Sequence, residues 1–505
     1  MRKVLLVFFW MWAGLSAVAQ TGQLGFSYAQ VVSEARVLSA GPYFPEREKV
    51  PRFFLELFYD QFRQISFRPE ESVWAGTDSP WRLQLLHPGL NYNRIVQLHT
   101  VEDGVSRRLG YDARWFDFGN LRVNGRSLPS GYAGFRLCGE VNRPGEWSDF
   151  AQFAGATYFR CVPVQTGAAF GVSARGVAVN PGLAEVAEDF PFFKKFWIVR
   201  QPAGSSQAVV LALMDSPNVC GAFRFVVTPG RATVTEVEAA LFFREAVSRV
   251  GLAPFSSMFW YGENAVRKPM DFRPEVHDSD GLLVEARDGR RWWRPLANGS
   301  TVRHSSFAVG KIKGFGLRQR DENFSSYQDL EENYHKRPGV WVEPLEGWPD
   351  GTVHLLEVPT AESVWDNVAC YWQPDTLPGR GETLRLRYRI TWAGETGFSS
   401  MISRVTDTRV GRVENAPRAT RYVVDFAAVP GDNGDSEVPE LEARVIGAAQ
   451  IRRQELRVNP ETKGWRAVLE VEPVSVREEY TVQAVLRRAG RDVSENWDYL
   501  ATPAE

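Results

Sequence analysis

The residues of this sequence best suited to chemistry are carboxylic acids that stand among aromatic and arginine side chains. Two carboxyls on either side of a glycosidic bond suffice to hydrolyse it: one protonates the leaving oxygen, and the other activates water or attacks the sugar. Three stretches of the chain hold acids in such surroundings. Each of them also has an ordinary structural explanation.

The densest stretch contains Glu275, His277, Asp278 and Asp280 between two strand-like segments. Crowded carboxyls repel one another when ionised, which shifts their pKa values, as is common at active sites. A calcium loop is disfavoured because the required spacing of acidic ligands and the final glutamate are missing. A turn rich in aspartate explains the same residues, and residue types alone favour that turn.

The second stretch, residues 318–344, mixes arginine, acid, amide and aromatic residues. This is the hydrogen-bonding and stacking inventory of a sugar cleft, although a solvated loop with surface ion pairs would have the same composition. The third stretch places Asp366 directly after Trp365 and before an apolar run. A carboxyl in apolar surroundings has a raised pKa and can serve as a general acid; a turn aspartate is the alternative.

The elements that position these acids are predicted to be mainly strands. Short β-rich segments are separated by Gly, Pro, Asn and Asp, and the clearest of them span residues 81–86, 208–213, 223–227, 352–358, 421–426, 464–471 and 480–486. The spacing of apolar residues predicts two short helices, at 27–38 and 236–250. We therefore expect an all-β protein.

A change of composition near residues 373–382 predicts a domain boundary. This segment is rich in Pro, Gly and charge, and apolar residues alternate with polar ones from Leu384 to Trp392, which indicates a half-buried strand that opens a new unit. We predict a large domain over residues 20–376 and a second domain over 381–505, whose short strands fit an immunoglobulin-like sandwich.

Several classes of function lose support from composition. A net charge of −2 with mixed signs gives no reason to expect nucleic acid or an anionic membrane as partner. The six histidines lie far apart and form no metal-binding motif, and nucleotide-binding and serine-hydrolase motifs are missing. We expect neither a cofactor nor a metal. The four cysteines, Cys138, Cys161, Cys220 and Cys370, permit three disulfide connectivities, among which the sequence does not choose.

The first 19 residues have the pattern of a secretory signal peptide. Arg2 and Lys3 precede an apolar run, and small residues ending at Ala19 form a cleavage site. The run is too short to span a bilayer, and no later stretch qualifies as a transmembrane helix, so stable membrane insertion is not expected. Without a twin arginine, general secretion to the periplasm is favoured.

Several long motifs resemble one family, the periplasmic glucan biosynthesis proteins G and D. The resemblance is carried by residues 58–69, 131–136, 155–160, 171–176, 274–280, 314–317 and 337–344, and more thinly by 422–426 and 494–497. It implies an N-terminal β-sandwich similar to the galactose mutarotase fold, which carries a cleft, joined to an immunoglobulin-like sandwich. The export signal resembles that of the G branch rather than the twin-arginine D branch.

The resemblance also implies a substrate and two catalytic roles. The family makes osmoregulated periplasmic glucans with a β-1,2-linked backbone, and some members are inverting endo-β-1,2-glucanases. By motif, the general acid falls on Asp366 and the general base, acting through water, on Asp278. We predict that Tyr334, Trp341, Glu343, His277 and Asp280 contact the substrate. A non-catalytic role is the alternative: a factor that binds the glucan and receives it from a membrane glucan synthase.

Overall fold

A computed structural model describes residues 25–45, 49–125, 128–266, 268–398, 400–432, 437–475 and 478–502. The predicted signal peptide, residues 1–19, lies outside these ranges. Within them, none of the helices combines the length and the apolar character that crossing a membrane requires.

Helices are few and short in the described residues. They are α1 (Tyr28–Ser39), α2 (Arg52–Leu55), α3 (Tyr59–Phe62) and α4 (Phe324–Tyr327), with single 3₁₀ turns at Pro69–Glu71, Ala113–Trp115, Tyr334–Lys336 and Glu395–Gly397. Helix α1 buries Val31 and Ala35 against Trp197, Leu211 and Cys220, so it covers the outer face of a sheet.

Strands make up most of the described chain. Those of the first half are β1 (Ser66–Phe67), β2 (Trp81–Leu86), β3 (Gln97–Glu102), β4 (Val105–Arg108), β5 (Phe116–Asp117), β6 (Gly134–Arg143), β7 (Glu146–Ala154), β8 (Tyr158–Cys161), β9 (Ser173–Arg175), β10 (Val177–Val179), β11 (Phe192–Val199), β12 (Ala208–Asp215), β13 (Val219–Thr228), β14 (Thr233–Phe243) and β15 (Val250–Ser257). The next strands, which include and follow the acidic stretches, are β16 (Phe259–Tyr261), β17 (Val276–His277), β18 (Gly281–Ala286), β19 (Arg291–Pro295), β20 (Arg303–Phe307), β21 (Ile312–Arg318), β22 (Gly339–Glu346), β23 (Gly351–Glu357), β24 (Val368–Pro374) and β25 (Thr383–Ala393). The last are β26 (Val405–Val413), β27 (Ala416–Phe426), β28 (Glu440–Ile446), β29 (Ala449–Asn459), β30 (Gly464–Pro473), β31 (Tyr480–Arg488), β32 (Arg491–Asp492) and β33 (Asn496–Ala501).

Two large sheets form the main body. The first has the order β2-β6-β7-β8-β9-β15-β24-β23-β20, with β10 beside β15; the second runs β28-β31-β33-β19-β18-β21-β22-β25-β14-β13-β12-β11-β3-β4, with β32 beside β31. Apolar side chains from both sheets meet in one large core. Every residue of β15 is buried, as expected of a central strand, whereas β2 alternates between buried and half-buried residues.

The C-terminal strands build a second core. Strands β26, β27, β30 and β29 form a four-stranded sheet, which packs through Tyr422, Val424 and Leu469 against Tyr480 and Trp497 of β31 and β33. Strand β33 pairs in parallel with β19, so the large sheet continues from the first body into the second. Buried ion pairs between Arg294 and Asp498 and between Arg320 and Glu495 cross the same junction.

The predicted all-β sandwich architecture is confirmed, and so are the seven predicted strand segments and the helix near 27–38. The predicted helix at 236–250 is wrong, because residues 233–243 form β14. From Thr233 to Ala239 the residues alternate between buried and half-buried, which is the period of a strand. Residues 239–243, which follow, are all buried. Apolar residues on both faces remove the alternation of a strand, so their spacing also fitted a helix.

The alternating segment from Leu384 to Trp392 is a strand, but it pairs within the first body. It forms β25, which lies between β14 and β22 in the large sheet. We therefore propose that the change of unit follows Ala393 rather than residue 376. The four cysteines, all within the described ranges, are buried and form no disulfide.

Candidate functional site

One short segment anchors both candidate catalytic acids. The backbone N–H of Asp278 donates to the carbonyl of Met258 at 2.8 Å. Asn367, the neighbour of Asp366, accepts the N–H of Phe259 at 2.8 Å and donates to the carbonyls of Phe259 and Val358. Residues 258 and 259 therefore fix the backbone positions of Asp278 and Asp366 relative to each other.

Asn367→Ala is expected to lower the free energy of unfolding by about 2 kcal/mol, because it leaves the buried N–H and carbonyl groups at Phe259 without partners. It should also lower any activity that depends on Asp366, since it loosens the loop that carries this acid. Urea unfolding measures the first effect. Asn323→Ala is the control, because Asn323 is exposed and its side chain caps no helix. Equal unfolding midpoints for the two variants would contradict the anchoring role.

Asp366 lies on the loop between β23 and β24. Its side chain is accessible to solvent, yet dense packing of protein around it raises its pKa to about 6. Asp366 is therefore exposed to solvent although protein packs around it. The charge of Asp278 adds to the rise, while Arg160 and Arg337 oppose it, so these residues share one electrostatic environment.

Asp278 follows β17 and is buried. It forms an ion pair with Arg337, which also pairs with Glu332 at 2.6 Å. The guanidinium of Arg337 lies 4.3 Å from the centre of the Tyr334 ring. Gly171 makes room for this arginine, because a Cβ at that position would come within 2.9 Å of the Arg337 Cβ. The Asp278 carboxyl is therefore ion-paired with a cation that other contacts hold in place.

His277 belongs to a buried network next to Asp278. Its Nε2 lies 3.0 Å from Glu275 and its Nδ1 3.1 Å from Gln319. Burial lowers the pKa of His277, but the charges of Asp280 and Glu275 outweigh this effect and raise it to about 9. A protonated ring would donate from both nitrogens, to Glu275 and to Gln319.

The same network has the spacing of a metal site. Glu275, His277, Asp280 and Asp321 each place one potential ligand atom within 4.8 Å of the others. Burial and then the neighbouring acids, Asp280 first, raise the pKa of Asp321 to about 9. Both ring nitrogens of His277 are engaged in hydrogen bonds in this arrangement.

The remaining predicted substrate-binding residues lie in different surroundings. Asp280 accepts the backbone N–H groups of Arg320 and Asp321, so it shapes that loop. Tyr334 is buried; its ring contacts Arg337, and the charge of Asp278 acts on its hydroxyl. Trp341 packs in the core of the second body. Glu343 is half-buried on β22, opposite Arg389 of β25. His277 is fully buried and has no contact with solvent.

Arginines around Asp366 were not predicted as site residues. Arg160 and Arg175 act on its charge from β8 and from β9, and Arg175 is ion-paired with Glu188 at 3.0 Å. Both arginines stand in motifs that carry the family resemblance, residues 155–160 and 171–176. These motifs could have indicated the two arginines as site residues, but their proximity to Asp366 results from the fold.

The chain is similar to known proteins over nearly its full length. A family model described as periplasmic glucan biosynthesis protein, MdoG, matches residues 26–501. Glucans biosynthesis protein D 1 of Ralstonia nicotianae is 38% identical over 95% of this chain and 92% of its own. Glucans biosynthesis protein G of the same organism is 37% identical, covering 97% and 99%. Glucans biosynthesis protein G of Shewanella frigidimarina is 38% identical, covering 94% and 85%. These identities do not separate the G branch from the D branch.

Proposed function

The chain belongs to the family of periplasmic glucan biosynthesis proteins, and on this basis we propose that it is an endo-β-1,2-glucanase that processes periplasmic glucan with inversion of configuration. The observation that carries the proposal is that the two carboxyls lie in different electrostatic surroundings. Protein packed around Asp366 raises its pKa at a solvent-accessible position, and the Asp278 carboxyl is ion-paired with Arg337. Pairs of acids whose environments separate their protonation states are typical of acid–base catalysis.

In the proposed reaction, protonated Asp366 donates its proton to the glycosidic oxygen as the bond to the anomeric carbon breaks. Water attacks the opposite face of that carbon, and its proton passes to the carboxylate of Asp278, directly or through a relay. Inverting enzymes need room for water between the two carboxyls. The water attacks directly, without a covalent intermediate, so the product has the opposite anomeric configuration.

Incubation of the mature protein with linear β-1,2-glucan tests the proposal. We expect shorter oligosaccharides of mixed length, as internal cleavage produces, and NMR of the first products should show α-anomers formed from β-linkages. Linear β-1,3-glucan is the matched control substrate and should remain intact. If folded protein at high concentration releases no product from β-1,2-glucan, the enzymatic proposal fails. Binding without cleavage would instead favour the factor that receives glucan from a membrane synthase.

The pH dependence of cleavage should reflect the raised pKa of Asp366. Its acid form must be present in the free enzyme, so kcat/KM should begin to fall near pH 6 and then drop about tenfold per pH unit. With an aspartic acid of ordinary pKa, kcat/KM would begin to fall about two pH units lower. Initial rates between pH 4 and 9 in buffers of constant ionic strength measure it. A flat profile from pH 5 to 8 would contradict the assignment of Asp366 as the acid.

A further inference from the structure

A groove lies at the junction of the two bodies, and it has a volume of ≈ 590 Å³. We call it the seam groove. One wall comes from the first body, with Trp260 of β16 and Ser300 and Thr360 in loops; the other comes from the second body, with Arg412 and Tyr422 of the β26–β27 hairpin. Its volume is within the range of small-molecule and oligosaccharide sites, about 300–1,000 Å³.

The lining of the seam groove suits a neutral, hydroxyl-rich ligand. Five aromatic residues line it together with hydroxyl and amide side chains, and among its described lining residues there is no carboxylate. Of its two arginines, Arg303 is ion-paired with Glu479 at 2.9 Å, whereas Arg412 is exposed at the rim. Phe259, Tyr261, Tyr422 and Tyr499 are buried, and Trp260 is half-buried. The ring of Trp260 beside hydroxyl and amide groups favours sugars over lipids, and the missing acids disfavour cationic peptides.

The groove is continuous in sequence with the loop that carries Asp366. Thr360 and Ala361 line the groove. The side chain of Asn298 donates to the carbonyls of Thr360 and Trp260 at 2.8 and 3.0 Å, which stabilises the position of this loop. Ala361 and Asp366 are five residues apart in sequence, so they lie at most about 18 Å from each other. Between them in sequence, Trp365 exposes 62% of its surface, so this loop offers an accessible aromatic ring.

We propose that the seam groove binds a distal segment of the same glucan chain whose scissile bond lies at Asp366. This inference rests on the proposed function, because it takes the glucan as substrate. The groove would favour long chains over short ones, since only a long chain reaches both sites at once and so gains the second set of contacts.

The test measures binding of short and long linear β-1,2-glucans by calorimetry, with the full mature chain carrying Asp366→Asn so that no chain is cleaved. In this background we expect the long chain to bind at least about tenfold more tightly than a short oligosaccharide. Ser300→Trp fills the groove from an exposed position, and it should reduce the ratio of the two affinities to about one. Arg412→Ala, on the opposite wall, should reduce the same ratio and covers the case in which the tryptophan variant does not fold.

Arg418→Ala is the matched control, because Arg418 is exposed on the same hairpin but does not line the groove; its affinity ratio should equal that of the background. The groove proposal is overturned if the background shows no preference for long chains, or if both groove variants keep that preference. If the background binds neither glucan and the unmodified protein cleaves neither, the proposed function has failed as well. If the unmodified protein cleaves β-1,2-glucan but both groove variants keep the affinity ratio of the background, the groove proposal has failed and the proposed function has not.

Discussion

Asp366→Asn is expected to reduce cleavage of linear β-1,2-glucan by about a thousandfold, because an amide does not donate the proton that the leaving oxygen needs. The substitution keeps the shape of the side chain, so glucan binding should be nearly unchanged and the loss should fall on kcat. Single-turnover assays at pH 5, where the native acid is protonated, measure the full effect. Asp375→Asn is the control, since Asp375 is an exposed aspartate at the other end of β24.

The same variant gives a second result that needs no substrate. A carboxyl whose pKa is raised in the folded state destabilises the protein as it ionises, so its unfavourable effect grows as the pH rises through about 6. Asp366→Asn removes that ionisation and should raise the melting temperature at pH 8 but not at pH 4. If the variant cleaves normally, or if its melting temperature is equally changed at both pH values, Asp366 is not a catalytic acid with a raised pKa.

The pKa of Asp366 shows what local sequence could predict. An apolar neighbourhood suggested a raised pKa, and the pKa is raised. The reason differs from the one that the sequence suggested, since Trp365 exposes 62% of its surface and is not a wall that buries the acid. Packing of the fold around the loop and the charge of Asp278 produce the shift. Both depend on segments far away in sequence.

Residue type alone did not distinguish residues that line a cleft from residues that pack in the core. Trp341 has the aromatic character of a sugar-binding residue, but its neighbours are Leu283, Trp293 and the second core. Large aromatic residues serve both roles in β-proteins, and a strand buried on both faces gives no alternation that marks the accessible side. For the same reason the fully buried end of β14 was predicted as part of a helix. The alternation in β25 identified a strand, but alternation does not tell which sheet a strand joins.

Contacts between distant motifs were beyond prediction from composition. Arg337 belongs to a stretch that was equally compatible with a solvated loop, yet its partner is Asp278, in the acidic stretch that precedes it in sequence. The resemblance indicated Asp278, but nothing in the sequence named the cation that holds it. Strand pairing with long separations brings such residues together, and the sequence pattern gives only which segments are strands.

Asp278→Asn is expected to lower cleavage by about a hundredfold or more, because the amide does not take the proton of the attacking water. It should also change the titration of Asp366. The negative charge of Asp278 raises the pKa of Asp366, whereas the positive charge of Arg337 lowers it. Asp278→Asn should therefore move the pKa of Asp366 down, and Arg337→Gln should move it up. Titration of ¹³C-labelled aspartate carboxyls by NMR measures both shifts without any activity.

Opposite shifts are the decisive outcome, because a general loss of structure would move the pKa of Asp366 toward its ordinary value in both variants. Arg337→Gln also leaves Asp278 buried without its cation, which costs stability, so the variant's folding should be checked at the temperature of the titration. If both substitutions shift the titration in the same direction, Asp278 and Arg337 do not act on Asp366 through their charges. In that case the loss of activity in Asp278→Asn would not identify a base. The proposal that the two carboxyls act as an acid and a base in different electrostatic surroundings would then lose its support.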